Sequence, residues 1–384
     1  MVPLYKECDI TGASQLQQFA TAHKGLWFER FFNQYGTDFS IDNKTGKTAF
    51  LDTLSGTHQQ QGHCGDESAL EVHCLRQRAL IEARQGQTMA RQTSWHFAGG
   101  LGNPHPVENS LLWHPTLGVP YLPASSIKGL LRAWLELHDL PSSAMQQLFG
   151  SENKDPAKQS TDQVAGELIF FDALPVKRVT LVVDTMTPHM GKWYEQGASA
   201  PGRGDTLPAD WHDPVPVTFL VAKNMLLQFS IAPRKSTPDA EEKVSFAMKA
   251  LSDALLHLGA GAKTAAGYGH MQTPDATAQN YLNRLDREIK DAKAEAEQKA
   301  ADAALTDSQL RLKKLKEAAE NSANHPANTE YHRDLAAAVK EAPDWPTEDQ
   351  QTLGQFARQF FKQYGSKKRI KEMKPLISAL LGEG

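Results

Sequence analysis

Cysteine is scarce in this sequence: three among 384 residues cannot build a disulfide framework, and they suit the reducing cytoplasm. Long apolar runs are missing too. No stretch reaches the ~18 apolar residues of a membrane-spanning helix, so no membrane association is expected. The opening Met1-Val-Pro-Leu-Tyr-Lys-Glu-Cys-Asp9 lacks the basic-then-apolar pattern of a signal peptide. Positive charge is in short supply as well. A formal net charge of −4 is not that of a protein holding nucleic acid by overall charge, so any such contact must come from a local patch. Two His-Cys pairs, His63-Cys64 and His73-Cys74, lack a common zinc spacing. They are expected to be a buried Cys74 and loop side chains, not a metal site.

Two stretches carry the chemistry. The first is Tyr121-Leu-Pro-Ala-Ser-Ser-Ile-Lys-Gly-Leu-Leu-Arg132. Pro123 breaks earlier structure, and Ser125 or Ser126 is expected to cap a helix, since a serine oxygen accepts from first-turn N–H groups. Ile127, Leu130, Leu131, Trp134 and His138 give that helix one buried stripe. Lys128 and Arg132, four apart, share a flank off the stripe. Free N–H groups, hydroxyls and cations in one place suit a phosphate; an ordinary capped amphipathic helix fits the same residues. The second stretch is Gly259-Ala-Gly261-Ala-Lys263-Thr-Ala-Ala-Gly267-Tyr268-Gly269, where glycines around one lysine and one tyrosine let the backbone approach a ligand. Gly261-Ala-Lys263-Thr264 is a poor Walker A loop: Ala262 stands where a glycine belongs, and the loop follows a helix instead of a strand. No nucleotide cofactor is expected.

The pattern along the chain predicts an α+β fold. Residues 1–87 read as helices and loops: a broken helix over 14–35 and a second over 68–85 with Leu70, Cys74, Ala79 and Leu80 inward. Residues 88–98 alternate as a half-buried strand, with Thr93, Trp95 and Phe97 on one face. After the helix at 125–138 come strands over 167–172 and 178–186. Segments 215–222 and 226–231 are predicted to pair as a hairpin across Lys223-Asn224. A helix over 239–258 and a short strand at 268–271 complete the order βαββαβ of a ferredoxin-like or RRM-like unit over 88–273. The excursion 187–214 is long enough to be functional and holds His189, Lys192, Trp193, Tyr194, Arg203 and Trp211, suited to stacking and phosphate contact. From 274 to 384 the composition turns helical, with a capping-box restart at Thr306-Asp-Ser-Gln309 and aromatic Phe356, Phe360 and Phe361 on a later helix.

Taken with Leu26-Trp27-Phe28, Asp184-Thr-Met-Thr-Pro188-His189 and Pro216-Val-Thr-Phe219-Leu, the two stretches resemble the RAMP superfamily of CRISPR RNA-binding proteins. Within it they resemble the family of sixth subunits of type III-B (Cmr) effector complexes. The resemblance covers roughly residues 20–272 and departs from the superfamily at Ala124, where glycine is usual. It implies a RAMP core in which 187–214 is a thumb-like projection over RNA. It also implies a non-catalytic subunit that binds the 3′ part of a guide RNA, meets target RNA, and caps the filament in antiviral defence against foreign RNA. The implied partners are the repeated backbone RAMP subunit and the head RAMP subunit. RNA contacts are then expected from Ser125, Ser126, Lys128, Arg132, His189, Lys192, Arg203, Gly261, Lys263, Gly267, Tyr268 and Gly269. The alternative is a metal-independent RNA endonuclease of the same superfamily, with His96, His114, His189 or His270 as acid or base.

Overall fold

The computed structural model describes residues 22–32, 34–36, 38–41, 46–55, 62–151, 163–197, 199, 206–209, 211–321, 325 and 330–383. The start of the broken helix expected over 14–35, and Arg203, lie outside them. The chain divides into two compact units, Met1–Leu285 and Asp286–Gly384. The division falls at 285/286, inside a continuous helix, and not at the composition change near 274.

The first unit begins with α1 (Lys24–Arg30), α2 (Gly46–Asp52), β1 (His63–Cys64) and α3 (Glu67–Ala83). Next come β2 (Gln87–Thr93), β3 (His96–Phe97), α4 (Ala124–Leu137) and α5 (Ser142–Phe149). The chain continues through β4 (Leu168–Phe170), β5 (Leu174–Pro175), β6 (Val179–Met186), α6 (Gly191–Gln196), β7 (Val217–Lys223) and β8 (Leu226–Pro233). It ends with α7 (Ala240–His257), β9 (Met271–Gln272) and the first turns of α8 (Ala276–Ala303).

One antiparallel sheet has the order β4-β8-β2-β9, with β5 also paired to β8. Taking β2, α4, β4, β8, α7 and β9 as the βαββαβ series, the spatial order is second, third, first, fourth strand, the ferredoxin-like arrangement expected. Its third strand, however, is β8 and not the strand predicted over 178–186, which becomes β6 and pairs elsewhere. The hydrophobic period explains why β8 is central. Leu227, Phe229 and Ile231 face the cluster that holds Val244, Leu251 and Leu255 of α7. Leu226, on the opposite face, packs with Cys74 of α3 and Leu282 of α8. Gln228 shares that face; it is fully buried and satisfied by Arg78 Nε (2.5 Å), Gln77 Oε1 (2.7 Å) and the Cys74 carbonyl (3.3 Å).

The hairpin expected between 215–222 and 226–231 does not form. β7 pairs with β6 and β3 in a second antiparallel sheet, order β1-β6-β7-β3, while β8 belongs to the first. Asn224, at φ 55°, is therefore a corner between sheets. Thr93 fastens that corner by exchanging hydrogen bonds with Met225 (2.9 and 3.0 Å). The strand expected over 88–98 also changes sheet, at Ser94-Trp95, which breaks its alternation. Thr93 and Phe97 are buried, but Trp95 stays 46% exposed.

The N-terminal helices share the main core: Trp27, Phe28, Phe50 and Leu51 cluster with Phe97, Trp113 and Ile127. In α3 the inner stripe is Leu70, Cys74 and Ile81. Leu80 points out, because the four-then-seven spacing from Leu70 selects 74, 77 and 81.

The second unit is helical. After α8 come α9 (Asp307–Glu320), α10 (Glu330–Glu341), α11 (Thr347–Tyr364) and α12 (Lys367–Leu380). The capping box forms as expected, with Thr306 accepting from the Gln309 N–H and Gln309 reaching back to Thr306. Its core is Leu312, Leu315, Tyr331, Leu335, Phe360, Phe361, Met373 and Ile377. Thr347-Glu-Asp-Gln350, which has the same residue pattern, forms no capping box at the start of α11. Pro346 is the cap, and the Gln350 amide instead donates to the carbonyls of Pro343 and Trp345.

Candidate RNA interface

The two stretches singled out in the sequence meet. A cleft of ≈ 540 Å³ is walled by Tyr121, Pro123, Ser126 and Leu130 on one side and Gly259–Ala262 and Thr264 on the other. A further loop, Gly99–Gly102, closes it. Ser126 reaches this cleft at the start of α4, which is anchored by Ile127, Leu131 and Leu135 in the core.

The helix start is built differently from the expectation. Neither Ser125 nor Ser126 caps it. Pro123 is the cap residue and makes no side-chain bond. Asp172 takes the capping role from outside, its Oδ1 accepting the Ala124 N–H at 2.7 Å, a carboxylate against the positive end of the helix. Ser125 and Ser126 are both exposed on the first turn. The two cations are engaged within the protein. Lys128 Nζ donates to the Phe149 carbonyl at 2.8 Å, closing the end of α5, and Arg132 pairs with Glu136 at 2.8 Å. The helical spacing that placed them on one flank also placed them beside these acceptors.

The glycine loop is held by its own backbone. Ala260 N–H donates to Gly269, Gly269 N–H to His96, and Ala262 N–H to Ala98. A Cβ on Gly261 would stand 2.3 Å from the Ala98 carbonyl oxygen, and one on Gly269 1.8 Å from that of Ala260. These glycines are thus needed for closing the loop on β3. Gly267, at φ 92°, differs: a Cβ there would meet only Trp95, at 3.8 Å. Lys263 takes a left-handed conformation, φ 57°, and its Nζ stands 5.8 Å from the centre of the Phe219 ring. Among the described residues it pairs with no carboxylate, so this cation, unlike Lys128 and Arg132, is available to an anion.

Tyr268 joins the loop to the second sheet. Its hydroxyl donates to Asp184 Oδ2 at 2.6 Å, and the same oxygen lies 2.9 Å from His96 Nδ1. Asp184 Oδ1 accepts the Thr185 N–H at 2.7 Å. Partial burial works against the Asp184 charge, but the bonds from Tyr268, the Thr185 N–H and His96 outweigh it and hold the carboxyl below its ordinary range. Burial, and then the neighbouring carboxylate, pushes the Tyr268 phenol up to about 12. Trp95 stacks on His96 with centroids 4.5 Å apart and planes at 14°, and lies 4.9 Å from the Tyr268 ring. Sequence reasoning missed Trp95 because alternation counted it inward. It named Asp184 only within a family motif; the period-2 face shared with Val182 and Met186 was the signal that could have aimed it at Tyr268.

His189 and Lys192 are exposed and do not line the cleft. They sit just past β6, in the excursion between β6 and β7, where Tyr194 and Trp211 are also exposed. The other candidate histidines are held locally. His270 Nδ1 and Nε2 lie against the Leu256 and Thr264 carbonyls, and His114 Nδ1 accepts from the N–H groups of Thr116 and Leu117. Cys64 and Cys74 sit in separate clusters, and burial pushes each thiol up to about 12. Among the described residues no group of three His, Cys, Asp or Glu is placed to hold a metal ion. No helix among them is long and apolar enough to cross a membrane.

Residues 90–272 match the family model of the RAMP superfamily. Over 232 residues the chain is 29% identical to the CRISPR system Cmr subunit Cmr6 of Pyrococcus furiosus, covering 47% of this chain and 66% of that relative. Over 96 residues it is 28% identical to the Cmr6 subunit of Saccharolobus solfataricus, covering 24% of this chain and 30% of that one. The chain thus spans just under two thirds of the first relative and under a third of the second. Among solved structures it is similar to the crystal structure of Cmr6 from Pyrococcus furiosus (25% identity, TM-score 0.29, 49% of this chain and 97% of that one). It is also similar to a chain of a type III-B Cmr-beta complex bound to cognate target RNA (18% identity, TM-score 0.44, 60% and 71%). Both the helix start and the glycine loop fall inside residues 90–272, the stretch that matches the family model of the RAMP superfamily, and the chain is similar to Cmr6 subunits.

Proposed function

We propose that this chain is a non-catalytic RNA-binding subunit of a type III-B CRISPR ribonucleoprotein. It holds the 3′ part of the guide RNA by its sugar–phosphate backbone and caps the filament beside the repeated backbone RAMP subunit. The observation that carries the reading is the cleft shared by Ser126 and the glycine loop, with Lys263 carried on the same loop. Such a site offers the hydroxyls of Ser126 and Thr264 and one uncommitted cation, which grip phosphates without reading bases. That chemistry suits guides of differing sequence, where base pairing supplies the specificity. His189 and Lys192, on the excursion after β6, extend the contact along the strand.

The test is the salt dependence of binding to a single-stranded RNA, measured by fluorescence anisotropy. Lys263→Ala is expected to weaken binding and to reduce the slope of log K against log salt by roughly 0.7, one phosphate contact on a single strand. Lys128→Ala is expected to leave that slope unchanged while costing about 1 kcal/mol of stability, because its partner is the Phe149 carbonyl. If Lys128 controls the slope and Lys263 does not, the site is misplaced. Salt-insensitive binding, or none, by the unmodified chain would remove the proposal.

A further inference from the structure

We infer that Trp95, backed by His96 and Tyr268, is a stacking platform for one unpaired base of the bound RNA. This inference rests on the RNA-binding reading and adds to it a base subsite next to the phosphate grip.

Four observations converge on it. Trp95 is 46% exposed at the point where the chain leaves one sheet for the other, so its indole is an aromatic surface left outside both cores. Its orientation is set from behind: His96 stacks on it nearly parallel, at 14°, and Tyr268 braces it at 4.9 Å. Both supports are fixed in turn by a single oxygen of Asp184, at 2.9 and 2.6 Å. An exposed tryptophan held on two sides has little rotamer freedom left to lose on stacking. The loop beside it is bare: Gly267 carries no side chain, and a Cβ there would approach nothing but Trp95. Finally, Lys263 belongs to the same cluster, over Phe219, whose ring lies 6.2 Å from that of Tyr268. A cation for phosphate and a pre-oriented indole for a base, on one loop and its neighbour, match the two halves of a nucleotide. A protein partner would use the indole as apolar area and have no need of the adjacent unpaired cation.

The experiment uses the full chain and an end-labelled single-stranded RNA, with Trp95→Ala, Trp95→Leu and Trp95→Phe. Trp95→Ala and Trp95→Leu are expected to weaken binding roughly tenfold, and Trp95→Phe to recover most of it. The salt slope stays unchanged in all three, because no phosphate contact is lost. Irradiation of RNA carrying iodouridine is expected to cross-link Trp95 in the unmodified chain. Equal affinity of Trp95→Ala and the unmodified chain overturns the inference and leaves the RNA reading standing, as does a cross-link that avoids residues 95 and 96. Recovery by leucine but not by phenylalanine also overturns it, since it assigns the position to apolar packing. Failure of the unmodified chain to bind RNA overturns both.

Discussion

Gly269→Ala is expected to cost the first unit about 3–4 kcal/mol and to lower its melting temperature by roughly 10 °C. A methyl group at this position would stand 1.8 Å from the Ala260 carbonyl oxygen, which is backbone and has no rotamer by which to withdraw. The residue is at φ 68°, so an L side chain is strained there even without the clash. Relief requires opening the loop and losing the bonds from Ala260 N–H to Gly269 and from Gly269 N–H to His96. RNA binding is expected to fall with stability, because the same loop carries Lys263 and Tyr268. Gly267→Ala supplies the control. It has the same sign of φ, but only Trp95 lies near, at 3.8 Å, so the expected cost is about 1 kcal/mol. Thermal melts of the two variants decide the matter: equal losses would mean that positive φ alone, and not the contact with Ala260, makes Gly269 necessary.

That contrast also marks where the sequence was legible and where it was not. The helices of the βαββαβ order could be read because they are long and periodic: α7 buries Val244, Ala247, Met248, Leu251 and Leu255 as its spacing dictates. The meeting of helix start and glycine loop followed from recognising both as parts of one family pattern. Two kinds of feature stayed hidden. Corners such as Ser94-Trp95 and Asn224 leave no period to count, since the strand continues but its hydrogen-bond partners change. Long-range polar partners are hidden for a related reason. Nothing local says that Lys128 will find the Phe149 carbonyl, or that Asp172, 48 residues on, will cap α4 in place of a serine. Capping rules name suitable residue types; the fold decides which acceptor arrives first.

Asp184→Ala is expected to cost about 2–3 kcal/mol, because it strands two donors at once. The Tyr268 hydroxyl, on a residue only 7% exposed, and the His96 ring both turn to Asp184 Oδ2. Asp184→Asn keeps one oxygen and is expected to recover about half of the loss: that oxygen can still face Tyr268 and His96, but the NH2 nitrogen cannot accept, so the Thr185 N–H loses its acceptor. The pH dependence separates this network from a merely buried aspartate. Asp184 is held below the ordinary carboxylate range in the folded chain, so its contribution is complete above the unfolded value of about 3.9 and is lost as pH falls through the lower folded value. Tyr268 runs the other way. Its phenol is raised to about 12, so its share is complete below the unfolded value of ~10 and is lost as pH climbs from there. The stability gap between the unmodified chain and Asp184→Asn is therefore expected to be flat from about pH 5 to 8 and to close at both extremes. Urea denaturation across that range measures it. A gap that persists undiminished near pH 3 would mean that the carboxylate charge is not what holds Tyr268 and His96. In that case Trp95 would lose its rigid backing, and with it the main reason to expect tight stacking on its open side.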